Sequence, residues 1–182
     1  MVGEEIVPTI DDLIKTHPNL KEFIPFLDLL NRESDRGKVL ISTGFMEEQL
    51  KQVLLAFFRE DKASTELVDG GNAALGSFSS RIAACYALGL IGQVEHHDLT
   101  LIRKIRNDFA HHIHTNFATA SVTDRCKGLM LRAPDDAFNA GDDLAKKASG
   151  QFQTAAVGLI LRLVNRPHYV SKQRRAEQEW PH

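Results

Sequence analysis

The chain has 182 residues, of which 43% are hydrophobic and 25% are charged, and its formal net charge is −2. These values are typical of one globular domain with a real core. The charge excludes a protein that binds duplex DNA through a strong basic excess, so any contact with nucleic acid must come from a local patch. The acidic start and the lack of any apolar stretch of about 20 residues predict a cytoplasmic protein without a membrane span.

The first third of the chain predicts three helices. Thr9 and Asp12 form a capping-box pattern, which predicts a short helix ending near His17 in an N-terminal extension over 1–18. The main domain is predicted over 19–166. Its first helix is expected over 19–31, with a break at Pro25. The next begins at 35, and its apolar residues recur at helical spacing, at Val39, Thr43, Met46, Leu50, Val53, Leu54 and Phe57.

Glycines mark the middle of the chain. Gly44, inside the long helix, is compatible with close packing of a neighbouring helix. The run 69–72, Asp-Gly-Gly-Asn, is the clearest loop signal. It has no Lys-Ser or Lys-Thr for a phosphate-binding loop. Ser77 begins a helix predicted to end at 88, and its serine hydroxyls favour capping over catalysis. Gly92 precedes a fourth main helix, predicted over 97–112.

The last third predicts a connector, two helices and a tail. Ser121 and Asp124 form a second capping box, opening a short helix through Leu129. After a loop over 133–136, a long helix is predicted over 142–165, with the buried stripe Leu144, Ala148, Phe152, Ala155, Leu159 and Leu163. Pro167 ends it, and 167–182, with Arg174 and Arg175, is predicted to be a solvated polar tail. The predicted fold is therefore an all-α bundle of five to seven helices.

The helix around residue 106 has one apolar and one polar face. At 100° per residue, one arc predicted to face the core holds Leu101, Ile102, Ile105, Phe109 and His112. The other side holds Arg103, Arg106, Asn107, Ala110, His111 and His114. Asn107 and His111 are one turn apart and are expected to be able to meet directly. Arg106 is offset, but its length lets it lean toward the same cleft.

This polar set suits metal-independent cleavage of RNA. The imidazole of His111 titrates near neutral pH and can transfer a proton. The guanidinium of Arg106 can bind a phosphate through two hydrogen bonds and stabilise charge in the transition state. Asn107 can orient either group. A solvated helix face carries the same residue types, and that interpretation remains open.

Other chemistry-bearing residues have structural interpretations. Cys85 and Cys126 are expected to be buried, reduced thiols. Arg81 is expected to pair with a carboxylate, with a place in the same cleft as the alternative. His111 and His114 have no metal-site spacing. No metal and no cofactor are predicted.

The segment 106–111, Arg-Asn-Asp-Phe-Ala-His, resembles the R-N-x-x-x-H signature of HEPN domains. This resemblance implies a small helical bundle, often a metal-independent endoribonuclease of toxin or antiphage systems. It also implies an active site at a dimer interface, with Arg106 and His111 from both chains. A neighbouring antitoxin would be a partner of such a protein.

A longer stretch, roughly 35–112, contains four spaced elements in order: Leu-Val-Asp-Gly from 67, Leu-Gly-Ser-Phe-Ser-Ser-Arg-Ile from 75, Tyr-Ala-Leu-Gly-Leu-Ile from 86, and 102–111. With these elements the stretch is similar to the bacterial mannitol operon repressor family. In that family an acidic residue follows the arginine, whereas this chain has Asn107. The family has no obvious helix-turn-helix, and none is found in this sequence, which argues against base-specific DNA binding.

Two functions follow from these resemblances. The first is a regulator of gene expression resembling the mannitol operon repressor, acting through protein or RNA contacts. The alternative is a HEPN-type endoribonuclease in which Arg106, Asn107 and His111 are catalytic, with Arg103, Arg81 and His114 in binding roles. The longer resemblance places the regulator first. In both, a homodimer through the Arg106 and His111 face is expected.

Overall fold

The computed structural model describes residues 20–70, 72–137, 141 and 143–181. The predicted extension over 1–18, with its short helix ending near His17, lies outside these residues. The described part contains no strand, which confirms the all-α prediction. Its helices are α1 (Leu20–Arg32), α2 (Asp35–Phe57), α3 (Lys62–Val68), α4 (Phe78–Ala87), α5 (Gln93–His111), α6 (Ala120–Lys127), α7 (Leu144–Val164) and the five-residue α8 (Arg166–Val170).

Helix α2 is the centre of the bundle. Its N-cap, Ser34, accepts a hydrogen bond from the Gly37 amide at 3.1 Å, which satisfies one of the free donors of the first turn. Helices α4, α5, α7 and α8 pack around it. The predicted apolar stripe is confirmed, because all seven of its residues are buried.

Aromatic rings link α5 to α7 inside the bundle. The ring centroids of Phe109 and Phe117 lie 5.2 Å apart, and those of Phe117 and Phe152 lie 5.6 Å apart. The predicted stripe on α7 is buried except for Leu144, which is exposed. Leu144 is the first residue of the helix, after the N-cap Asp143, so it lies beyond the edge of the core.

The predicted break at Pro25 is wrong, because α1 continues through it from Leu20 to Arg32. A proline inside a helix removes one backbone hydrogen bond and costs about 3 kcal/mol. Burial offsets this cost, since Phe23, Phe26 and Leu30 lie on one buried face. The ring of Phe26 also packs against that of Phe45, with centroids 4.7 Å apart.

Two predicted helix starts are wrong. Helix α5 begins four residues earlier, at Gln93, because the Glu95 carboxylate accepts from the Gly92 amide at 2.7 Å and caps this end. Ser121 does not cap α6, whose N-cap is Thr119. The Ser121 hydroxyl donates instead to Asp108 Oδ2 at 3.1 Å.

The predicted polar tail is partly structured. It contains most of α8 and a 3₁₀ turn at Ser171–Gln173, and Val170 is buried. The Arg175 amide donates to the Phe57 carbonyl at 2.8 Å, and the Arg175 guanidinium lies 5.0 Å from the Phe57 ring centroid. Arg174 pairs with Glu60 at 2.5 Å. The backbone of this segment therefore packs along the end of α2, while its charged side chains lie at the surface.

Candidate functional site on helix α5

The inner face of α5 fixes the orientation of its outer face. Ile102, Ile105 and Phe109 are fully buried, as predicted. His112 is not, because the helix ends at His111 and His112 is the C-cap, with extended φ and ψ of −121° and 111°. Beyond the last turn the helical wheel no longer applies, so the prediction of a core-facing His112 is wrong.

The outer face brings Arg106 and Asn107 together. Arg106 Nη1 donates to Asn107 Oδ1 at 3.2 Å, which uses one of the five guanidinium N–H donors. Arg103 lies one turn earlier, and both arginines are half-buried. In the described part of the chain neither has a carboxylate partner. Two arginines with free donors on one helix face form a surface suited to an anionic group.

The three histidines after Arg106 lie at the open end of the helix. His111, His112 and His114 are all exposed, and over the residues that the structure describes His111 forms no hydrogen bond with Asn107. With Ile113, Thr115 and Thr119 they line a shallow depression of about 470 Å³. No group of three or more His, Cys, Asp or Glu that could hold a metal ion occurs among the described residues.

Arg36, which the sequence analysis missed, holds the end of α5. Its Nη2 donates to the carbonyls of His112 at 2.9 Å and Ile113 at 2.8 Å. Its guanidinium also lies 5.9 Å from the centroid of the Phe109 ring. A cation in the first turn of α2 opposes the dipole of that helix but favours the C-terminal end of α5. An arginine in the first turn of a helix, two residues after the N-cap Ser34, was the sequence signal available for this contact.

Asp108, within the signature, has a structural role. Its carboxylate pairs with Arg125 of α6 and accepts from Ser121. The negative charge nearest to Arg106 in the sequence is therefore neutralised by another helix. Asp108 fastens α6 to α5 and leaves the outer face of α5 positive.

Arg81 serves the fold, in agreement with the preferred prediction of an ion pair. The nearly buried guanidinium donates to the carbonyls of Leu75 and Val68, each at 3.0 Å, and of Glu47 at 3.3 Å. Its Nη1 also lies 3.7 Å from Glu47 Oε1. These contacts tie α4 and the loop before it to the end of α3 and to α2, and they use three of the five guanidinium N–H donors. A binding role for Arg81 stays a prediction.

The two cysteines are buried free thiols, as predicted. Burial raises the pKa of Cys85 and that of Cys126 each to about 12, well above the usual 9.0. A thiol that stays protonated at neutral pH is a poor nucleophile. Neither cysteine takes part in the chemistry of the site.

The candidate residues lie near the surface of the described part of one chain. Arg106 and Asn107 are half-buried and His111 is exposed. This arrangement can bind an anionic or polar group. Its use in catalysis stays a prediction.

Comparison with known proteins shows a shared fold. The chain is similar to the MtlR chain in the X-ray structure of the MtlR–HPr complex from Escherichia coli, with 23% identical residues and a TM-score of 0.55 over 80% of this chain and 95% of that chain. No family model matches the chain, and no curated protein sequence matches it significantly. Over the described residues, none of the helices has the length and apolar character needed to cross a membrane.

Proposed function

We propose that the chain is a bacterial, cytoplasmic regulator of gene expression resembling the mannitol operon repressor, and that it acts by binding a protein partner. The observation that carries this proposal is the fold it shares with MtlR, a protein solved in complex with HPr. The resemblance of 35–112 to the mannitol operon repressor family supports the same assignment.

The outer face of α5 is the proposed recognition surface. Arg103 and Arg106 are half-buried and have free donors, so their side chains are already partly ordered before binding. Asp108 is paired with Arg125, so its carboxylate does not compete with a partner for these two arginines. A partner that supplies acceptors to this face gains charge-assisted hydrogen bonds.

Calorimetric titration of the full chain with HPr from the same bacterium tests the proposal. Saturable binding is expected, and the double variant Arg103→Ala/Arg106→Ala should weaken it roughly tenfold or more. The matched control is Lys127→Ala/Arg162→Ala, which removes the same charge at two exposed positions elsewhere and should leave affinity unchanged. Absence of binding by folded wild-type protein would reject HPr as the partner and with it the proposed function.

A metal-independent endoribonuclease is the second candidate function. The hydrogen bond between Arg106 and Asn107, with His111 exposed one turn further on, favours it. Because one chain presents an open face, this activity requires a second copy to complete the site.

Incubation of RNA with the protein in EDTA tests this candidate. The wild type would cleave the RNA to 2′,3′-cyclic phosphate ends, but Arg106→Ala and His111→Ala would not. His168→Ala, which changes an exposed histidine on α8, is the matched control and should cleave normally. Intact RNA with all four proteins would reject this candidate.

A further inference from the structure

The loop after α5 exposes a large apolar side chain. Ile113 is 87% exposed, more than any other large apolar side chain in the described part of the chain. Burying an isoleucine side chain in a partner's pocket stabilises the complex by about 1.5–3 kcal/mol. A single exposed apolar residue is ordinary at a surface, so the exposure of Ile113 gains meaning only from how its loop is held.

The backbone that carries Ile113 is fixed on both sides. Arg36 donates to the carbonyl of Ile113 itself and to that of His112. The Thr115 amide donates to the same His112 carbonyl at 3.1 Å and closes a turn. A loop already held in one conformation loses little entropy when a partner binds it. Ile113 is therefore presented by a preformed turn.

Charge decides between the occupants of this face. Arg103, Lys104 and Arg106 lie on the last two turns and a half of α5 before the loop, and in the described residues none of the three has an acidic partner. A second copy docked through the same face about a two-fold axis would bring these cations together, and like charges in an interface are costly. The complementary occupant is a protein surface bearing carboxylates.

We infer that the loop 112–115, clamped by Arg36, is a preformed docking element for a protein partner whose contact face has an apolar pocket bordered by carboxylates. Ile113 is the apolar anchor that enters the pocket. Arg103 and Arg106 meet the carboxylate border. The inference rests on the proposed function and adds to it the anchor residue and the chemistry of the partner.

Site-specific labelling tests whether Ile113 is free in the unbound protein. The variant Ile113→Cys introduces a thiol that a maleimide should label rapidly, whereas the buried Cys85 and Cys126 should not react. Labelling that stays slow at every dilution would show that the chain itself covers this position. Labelling that becomes fast only on dilution would show that a second copy covers it. Either result would overturn the inference.

Binding to HPr supplies the second measurement. HPr should protect the thiol introduced by Ile113→Cys from maleimide, and Ile113→Ala should weaken binding about tenfold or more, as truncation of an anchor does. Leu161→Ala, which truncates an exposed leucine near the C-terminal end of α7, is the matched control and should bind like the wild type. Arg36→Ala should weaken binding and also speed amide hydrogen exchange at Thr115.

The outcomes separate the inference from the proposed function. If wild type and Ile113→Ala bind HPr equally, the docking loop is rejected and the proposed function stands. If the wild type does not bind HPr, the proposed function fails and the inference fails with it. If single-stranded RNA but not HPr protected the thiol of the Ile113→Cys variant, the inference would be overturned in favour of an RNA ligand.

Discussion

Replacing Arg166 with alanine removes an ion pair between the start of α5 and the junction of α7 with α8. Arg166 Nη2 lies 2.6 Å from Glu95 Oε1, and Nη1 donates to the Leu90 carbonyl at 2.6 Å. The Glu95 side chain is 5% exposed and that of Arg166 is 28% exposed. After the substitution, the Gly92 amide at 2.7 Å is the hydrogen-bond donor that Glu95 keeps.

The expected cost follows from burial. Removing one partner of a buried ion pair costs about 3–5 kcal/mol, because the other charge stays desolvated. The retained Gly92 amide and the partial exposure of Arg166 place this case at the lower end, about 3 kcal/mol. For a chain of this size that corresponds to a fall in Tm of about 6–12 °C. The loss in Glu95→Ala/Arg166→Ala should be smaller than the sum of the single losses by about 1–3 kcal/mol.

Urea unfolding followed by far-ultraviolet circular dichroism measures these values. Arg162→Ala, an exposed arginine four residues earlier, is the control and should change the free energy of unfolding by less than about 0.5 kcal/mol. A loss below about 1 kcal/mol in Arg166→Ala, with an unchanged denaturant slope, would refute the reasoning. It would mean that the ion pair only balances its own desolvation.

Four further predictions concern stability and thiol reactivity. Gly44→Ala should raise the free energy of unfolding by up to about 1 kcal/mol in thermal or urea unfolding, because a Cβ there meets no atom within 4 Å and alanine favours the helix. A decrease in stability would contradict this prediction, because it would mean that the new methyl group clashes with a neighbour. Asp98→Ala should cost roughly 2 kcal/mol in the same assay, because the fully buried carboxylate accepts from two backbone amides at 130–131, each at 2.8 Å; an unchanged midpoint would contradict this. Cys85 and Cys126, whose pKa values burial raises to about 12, should not react with a disulfide reagent at pH 8 until urea unfolds the chain. The same two thiols should make stability depend on pH, because they ionise near pH 9 in the unfolded chain but not in the folded one. Their contribution to the free energy of unfolding should therefore stay constant below pH 9 and decrease as the pH rises toward 12. Urea midpoints measured across this pH range test the direction of the change.

The helices were predictable where a long apolar period reports burial on one side. The stripe from Val39 to Phe57 and the buried face of Ile102, Ile105 and Phe109 are examples, because a 3.6-residue period needs no knowledge of distant contacts. Prediction failed at Pro25, where burial of α1 offsets a local penalty. It also failed at the start of α5, where the cap is the side chain of Glu95, three residues inside the helix. Local propensity is a weak guide when tertiary packing opposes it.

The placement of the candidate residues was predictable, but their surroundings were not. Helical spacing puts Arg106, Asn107 and His111 on the outer side of α5, and their role in binding or catalysis stays a prediction. Arg36 was missed because it lies about seventy residues earlier in the sequence, and its partners are backbone carbonyls that no side-chain pattern reports. The open end of α5 therefore became visible only in three dimensions.

Helix α5 divides its residues between holding the fold and facing outward. Near its start, Glu95 pairs with Arg166, His97 Nε2 donates to the Gly128 carbonyl at 3.0 Å, and Asp98 holds the turn after α6. Near its end, Asp108 binds α6, and Arg36 binds the backbone that follows.

The residues proposed to contact a partner are separate from these fastening residues. In the described part of the chain, Arg103 and Arg106 are not among the ion pairs that bind α5 to its neighbours, and Ile113 buries little area because it is 87% exposed. Their truncation should therefore leave Tm within the small range expected of surface changes. If Arg106→Ala or Ile113→Ala unfolded the protein, the proposed separation would be wrong. If both stay folded, any loss of binding is a property of the surface itself.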